Sequence, residues 1–172
     1  MKRGDPVPRL ACLDPGVRSV GVSIWERDEL AGAYLVGPVP RVEDIGQQAT
    51  TLAAAVREIV HLTHVLVECP RVYPGGRTRN PNDLLDLSVV VGALCASAAD
   101  CMTVEPRDWK GQRDGDAFIA KCVQPSLMSA EFGRVELRGV ATGLQHNIWD
   151  AVGLGLWYFG RLRSGRVLRG AT

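Results

Sequence analysis

The sequence has no long hydrophobic run. Its longest nearly apolar stretch, residues 87–99, is interrupted by Ser88 and Ser97 and falls short of the roughly 18 residues that span a bilayer. A transmembrane helix is therefore excluded, and no membrane partner is expected. An excess of one charge is also missing: 20 Lys plus Arg stand against 19 Asp plus Glu, for a net charge of +1. Any attraction to a polyanion must come from local clusters. Paired cysteine motifs are absent too. The five cysteines (Cys12, Cys69, Cys95, Cys101 and Cys122) are odd in number, contain no C-x-x-C, and mostly sit in apolar surroundings. That pattern suits thiols of a reducing compartment and no disulfides. Lys2 and Arg3 imitate the start of an export signal, but Pro6 and Pro8 follow and only residues 10–13 are apolar before Asp14. Export is not expected, and a cytoplasmic location is. Internal repeats and low-complexity blocks are missing. What is present is an ordinary globular composition, 172 residues with 46% hydrophobic. It predicts one domain over residues 1–172, with a basic tail at 164–172.

The periodicities predict an α/β fold. Residues 9–13 form a short β-prone segment closed by Asp14-Pro15-Gly16, a turn tripeptide. Val20, Val22 and Ile24 alternate with small or polar residues, and residues 30–36 are again strand-like. Together these make a three-stranded antiparallel meander. Residues 42–60 carry Ile45, Ala49, Leu52, Val56 and Ile59 at helical spacing. Residues 62–67 are apolar enough for a strand covered on both faces, and they run directly into Glu68. The stretch 70–82, with Pro70, Pro74, Pro81 and Gly75-Gly76, is a loop. A helix follows to residue 99, capped by Asn82 or Asp83, with Leu84, Leu87, Val91, Leu94 and Cys95 on a wide apolar face fit for burial or for a dimer contact. Then come a strand at 101–104, a polar connection at 105–113, a short helix at 117–123, a weakly patterned stretch at 126–143, and a helix at 145–163. This order suggests a five-stranded mixed sheet, an antiparallel meander plus parallel strands, with helices on both faces. That is the ribonuclease H-like arrangement.

Three acids stand at element ends. In open α/β sheets, functional groups gather beyond the carboxyl ends of strands. Asp14 and Glu68 both occupy such positions. If the first and fourth strands are parallel neighbours about 4.8 Å apart, the two carboxylates reach one cation together. Asp-Pro-Gly is also an ordinary turn. An acid ending an apolar strand is more telling, because it is poorly solvated unless it faces a cleft or a partner. Asp150 begins the apolar part of the last helix. His146 and Asn147, four and three residues earlier, share its face. An exposed acid near a helix start, favoured by the macrodipole, is the plainer alternative for Asp150. Together the three acids predict a divalent-metal site.

Several segments resemble RuvC-type Holliday-junction resolvases, most of all the divergent forms of bacteriophages and mobile elements. They are Leu10-Ala11-Cys12-Leu13-Asp14-Pro15-Gly16 followed by Gly21, Val65-Leu66-Val67-Glu68 before a Gly/Arg-rich loop, Trp109-Lys110-Gly111, and the run from His146 to Gly153. The resemblance spans about residues 9–163. It implies a homodimeric, metal-dependent endonuclease (Mg²⁺ or Mn²⁺, two per site) that nicks two strands of a four-way DNA junction. On the matching positions it implies Asp14, Glu68 and Asp150 as metal-binding acids and Lys110 as an active-site lysine. The family's fourth ligand, an Asp or His three residues before the last acid, corresponds to Asn147. This departs from the pattern, and His146 one position earlier is the alternative ligand, or a proton shuttle.

The positive charge is clustered. Arg71, Arg77 and Arg79 share one loop beside Glu68, Arg113 follows Lys110 in the polar connection, and Arg161, Arg163, Arg166 and Arg169 crowd the end. The loop arginines predict phosphate contact. Tyr73, flanked by Pro70 and Pro74, resembles the family's loop aromatic that wedges against a base at the crossover. Trp109 and Trp149 are expected in the core or the site wall. Two other readings stand beside the nuclease. One is a non-catalytic DNA-binding or regulatory protein, which Asn147 keeps open, and the other is a nuclease acting on structured RNA. An actin-like ATP-binding protein, suggested by Asp14-x-Gly16, needs two lobes and a second phosphate loop that 172 residues do not supply.

Overall fold

The computed structural model describes residues 1–61, 64–71, 81–111 and 115–162. Five strands, β1 (Arg9–Pro15), β2 (Val20–Glu26), β3 (Glu29–Val36), β4 (His64–Glu68) and β5 (Asp100–Val104), form one sheet in the order β3-β2-β1-β4-β5. β1 runs antiparallel to β2 and parallel to β4, and β4 is parallel to β5. The expected meander and parallel pair are therefore both present. Helices α1 (Ile45–Ile59) and α2 (Pro81–Ala96) cover one face. The other face is covered by α6 (Thr142–Tyr158) and by the short turns α3 (Pro106–Trp109), α4 (Gly115–Phe118) and α5 (Ser129–Phe132).

Alternation along β1 and β4 divides the core in two. Leu10, Cys12 and Leu66 pack toward α6, in a cluster with Trp25, Trp109, Ile148 and Val152. Ala11, Leu13, Val65 and Val67 pack toward α1 and α2 with Leu52, Val56, Val90 and Leu94. β4 is thus covered on both faces, as its unbroken apolar run requires. The same alternation decides which way the acids point. Leu13 is level with Val67, so the next step brings Asp14 level with Glu68, both on the α6 face.

Element ends differ from the sequence expectations for local reasons. α1 starts at Ile45 because Asp44 caps it, its Oδ1 accepting from the Gln47 N–H at 2.6 Å. α2 stops at Ala96 rather than at residue 99, since β5 already begins at Asp100. The last helix starts at Thr142 and ends at Tyr158, five residues before the expected limit. There the chain reverses, and the N–H groups of Arg161 and Leu162 both close on the Leu156 carbonyl. The polar connection contains the single helical turn α3, with Pro106 at its first position, where no amide hydrogen is needed. The expected helix at 117–123 is α4 continued by a π turn over Ile119–Val123.

Gly21 sets how closely α6 lies on the sheet. A Cβ at position 21 would run into the backbone carbonyl of Asn147. Only glycine lets the helix carrying Asp150 sit directly over β2. Two residues along the strand, Ser23 Oγ donates to the Ala151 carbonyl at 2.7 Å and accepts from Trp25 Nε1 at 2.8 Å. These bonds fix the helix against sliding.

Candidate active site

Asp14 at the end of β1, Glu68 at the end of β4, and Asp150 in the third turn of α6 line one cleft of about 780 Å³, together with Lys110, His146, Asn147 and Arg18. The strand ends deliver two carboxylates, the helix laid across Gly21 delivers the third, and the chain leaving β5 through α3 delivers Lys110. Lys110 Nζ lies 2.7 Å from Asp150 Oδ2 and 3.3 Å from Glu68 Oε2. Its ammonium pairs with two of the three acids. Trp109 donates from Nε1 to Glu68 Oε2 at 2.6 Å. Its ring stands edge-on to Phe118 and fills a notch on α6, where a Cβ at Gly153 would fall 2.5 Å from Cζ3. The buried wall expected of Trp109 is thus also a hydrogen-bond donor to the site. Nothing in the sequence pattern announces that role, because the partner lies 41 residues away. Trp149 is buried and packs against Phe132 with the two rings tilted at 39°.

Burial raises the Asp14 pKa well above the ordinary carboxylate range; the neighbouring Glu68 and Asp150 push it further, against Lys110. Burial also raises Glu68, opposed by the Lys110 charge and the Trp109 hydrogen bond. For Lys110 burial acts downward, but Glu68 and Asp150 outweigh it and hold the ammonium charged more firmly than usual. Crowded carboxylates behave this way when they lack enough positive charge. One acceptor is still unused: Asp150 Oδ1 is buried with no hydrogen-bond partner among the described residues. Oxygen donors of this kind suit hard divalent cations, so the donor set fits one. Among the described residues, no three His, Cys, Asp or Glu side chains already surround a single ion-sized point; Lys110 stands between two of the acids instead.

The remaining site expectations fall unevenly. Asn147 is buried, while His146 is exposed at the cleft edge. Arg71 follows Glu68 closely and pairs with Glu105. Tyr73, Arg77, Arg79, Arg113, Arg163, Arg166 and Arg169 lie outside the described residues. Arg161 is a correction to the basic end cluster, because its guanidinium is taken up by the protein. It donates to Glu131 at 2.6 and 2.8 Å and also bonds the Asp28 carbonyl. Among the described residues, no helix is long and apolar enough to cross a membrane.

No protein-family model and no curated protein sequence matches this chain. Solved structures do match it. Thermus thermophilus RuvC in complex with Holliday junction substrate aligns with a TM-score of 0.59 and 17% identity, over 90% of this chain and 96% of that one. A second Thermus thermophilus RuvC structure gives 0.52 and 14%, over 89% and 95%. The yeast mitochondrial Holliday junction resolvase Ydc2 gives 0.60 and 11%, over 91% and 80%. At such identities the likeness is one of fold, and it extends over nearly the whole of the RuvC chains. The structure therefore bears out the resemblance read in the sequence at the level of architecture: the chain has the ribonuclease H-like fold of the RuvC resolvases.

Proposed function

We propose that the protein is a metal-dependent endonuclease that hydrolyses phosphodiester bonds of branched DNA, with the four-way junction as substrate. The observation that carries this reading is the convergence of Asp14, Glu68 and Asp150 on Lys110 in one cleft, within a fold shared with junction resolvases. Asp14, Glu68 and Asp150 would hold two Mg²⁺ or Mn²⁺ ions, with His146 or Asn147 as the fourth ligand. When bound, such ions lower the pKa of an attacking water and stabilise the leaving 3′ oxygen. The chain's own groups do the rest. Trp109 keeps one Glu68 oxygen oriented. Lys110 supplies a fixed positive charge to a phosphate lying in the cleft. The His146 imidazole, exposed at the cleft edge, would serve as a ligand or as a general acid or base. Arg71, with Arg77 and Arg79 beyond the described residues, would contact the DNA backbone.

A homodimer suits a substrate cut on two strands. On α2, Leu85 is 65% and Val89 41% exposed, an apolar face suited to a second copy. A location inside the cell fits five free cysteines. Labelled four-way junction, linear duplex and RNA–DNA hybrid, each incubated with and without metal, test the function. Paired nicks in the junction, abolished in Glu68→Gln and Asp150→Asn, are expected. Junction binding without cutting would favour the regulatory reading, and cleavage confined to the hybrid would favour the RNA reading. Light scattering tests the dimer.

A further inference from the structure

Cys95 lies in the last turn of α2, and Cys101 is the second residue of β5. The turn between them folds back so tightly that their Sγ atoms stand 2.7 Å apart, inside the contact distance of unbonded sulfurs. Both thiols are partly open to solvent, unlike Cys12 and Cys122, which are buried in the core. A third thiol, Cys69, follows Glu68 directly and is also partly open. From this geometry we propose that Cys95 and Cys101 form an oxidation site, a dithiol that a hydroperoxide converts to a reversible intramolecular disulfide.

The two thiols are not equivalent. Cys101 donates its S–H to Cys95 Sγ, which lowers the Cys95 pKa and raises that of Cys101. Cys95 is then the attacking thiolate. Its sulfur takes the terminal oxygen of the hydroperoxide, giving a sulfenic acid and releasing an alcohol, or water from hydrogen peroxide. The Cys101 sulfur attacks the sulfenic sulfur, the S–S bond forms, and the hydroxyl leaves as water with the Cys101 proton. In total, the two thiols lose two protons and two electrons, which reduce the peroxide to an alcohol and water, or to two waters from hydrogen peroxide. The new bond would tie the end of α2 to β5, the strand that leads through α3 to Trp109 and Lys110.

The test is hydrogen peroxide treatment of the full chain, followed by blocking of free thiols and non-reducing peptide mapping, on the wild type, Cys69→Ser and Cys95→Ser. The expected result is a Cys95–Cys101 cross-linked peptide in wild type and Cys69→Ser, with free thiols falling from five by two. It should be reversed by dithiothreitol and absent in Cys95→Ser, with a rise in melting temperature of a few degrees (about 2–4 °C) in the oxidised wild type. Oxidation that stops at sulfinic acid on Cys95, pairing of Cys95 with Cys69, or an unchanged thiol count would each overturn the proposal.

Discussion

Trp109 Nε1 donates to Glu68 Oε2 at 2.6 Å, and the ammonium of the next residue, Lys110, straddles the same carboxylate, 3.4 Å from Oε1 and 3.3 Å from Oε2. Two consecutive residues therefore hold both oxygens of one acid. Trp109→Phe preserves the ring against Phe118 and Gly153 and deletes only the donor. Groups that orient a ligating side chain typically carry 10–100-fold of affinity or activity. Cleavage and Mn²⁺ affinity should each drop about tenfold in Trp109→Phe, with a thermal stability near that of wild type. Calorimetric Mn²⁺ titration beside a melting curve separates the two effects. A large fall in melting temperature with unchanged Mn²⁺ affinity would show that the indole serves packing alone.

Lys110 is the internal counter-charge of the acids, and a divalent cation competes with it for the same oxygens. Lys110→Met keeps most of the aliphatic stem and removes the charge. Cleavage should fall by about 100-fold or more if the ammonium acts on the phosphate. Mn²⁺ should bind about tenfold tighter, because a competitor worth on the order of 1.4 kcal/mol has gone. Opposite movement of activity and affinity is the signature. Weaker Mn²⁺ binding in this variant would mean that Lys110 supports the ions instead of competing with them.

The architecture is legible in the sequence wherever a period is long enough to be seen. β2 alternates, β4 is an apolar run, and α1 carries a greasy face, which predicts a five-stranded mixed sheet with helices on both faces; the strand order and the α6-facing placement of Asp14 and Glu68 emerge only from the pairing register. Glu68 is legible because a carboxylate at the end of an apolar strand is poorly solvated unless it faces a cleft or a partner, whereas Asp14 in a turn tripeptide and Asp150 on a helix gain meaning only beside it. The role of Trp109 is not, since a buried indole has the same pattern whether or not its N–H finds an acid. Residues 126–143 are opaque for a related reason. Their turns are too short to show any period. They are tied down by long-range contacts: the pairing of Ala33 with Val135, and Glu131, whose partners Leu30 and Arg161 are far apart in sequence. Arg161 looks like a member of a surface cluster until its buried partner is known.

Gly21 should be among the least replaceable residues outside the site. In Gly21→Ala the added methyl meets the backbone of Asn147 and Ile148, which cannot swing aside as a side chain can. Overpacking costs about 1–3 kcal/mol, and here the upper end is expected. α6 must move away from β2, carrying Asp150 with it, so cleavage should be lost even at temperatures where the protein is still folded. Chemical denaturation and junction cleavage at low temperature would check this. Full activity in a destabilised variant would show that the acid's position tolerates a shift of the helix.

His146 and Asn147 offer different fourth ligands, one an exposed imidazole and the other a buried amide. Imidazole suits transition ions better than Mg²⁺. If His146 ligates, Mn²⁺ should support cleavage at least as well as Mg²⁺, and His146→Ala should lose that preference while Asn147→Ala retains it. Metal titrations of the three proteins decide the matter. Mg²⁺ clearly superior in wild type counts against the histidine.

Glu131 and Arg161 set the acid limit of the fold. The Glu131 side chain is 1% exposed. Burial alone would raise its pKa, but hydrogen bonds from Arg161 and from the Leu30 and Met128 N–H groups outweigh it and hold the carboxyl at about 2, against an ordinary 4.5. A depressed folded-state pKa means that the stabilisation is complete above about 4.5 and is lost as pH falls from there toward about 2. The amount at stake is on the order of 3 kcal/mol. Glu131→Gln removes the titrating group and leaves Arg161 without its anion, so it should be less stable than wild type at neutral pH. The gap should narrow through the window from 4.5 to 2 as the wild-type carboxyl takes up its proton. Denaturant midpoints of both proteins at pH 7, 4 and 2.5 measure it, and because every other carboxylate titrates alike in the two chains, their difference isolates Glu131. A gap that stays constant across those values would mean that the carboxylate's charge contributes nothing beyond its shape.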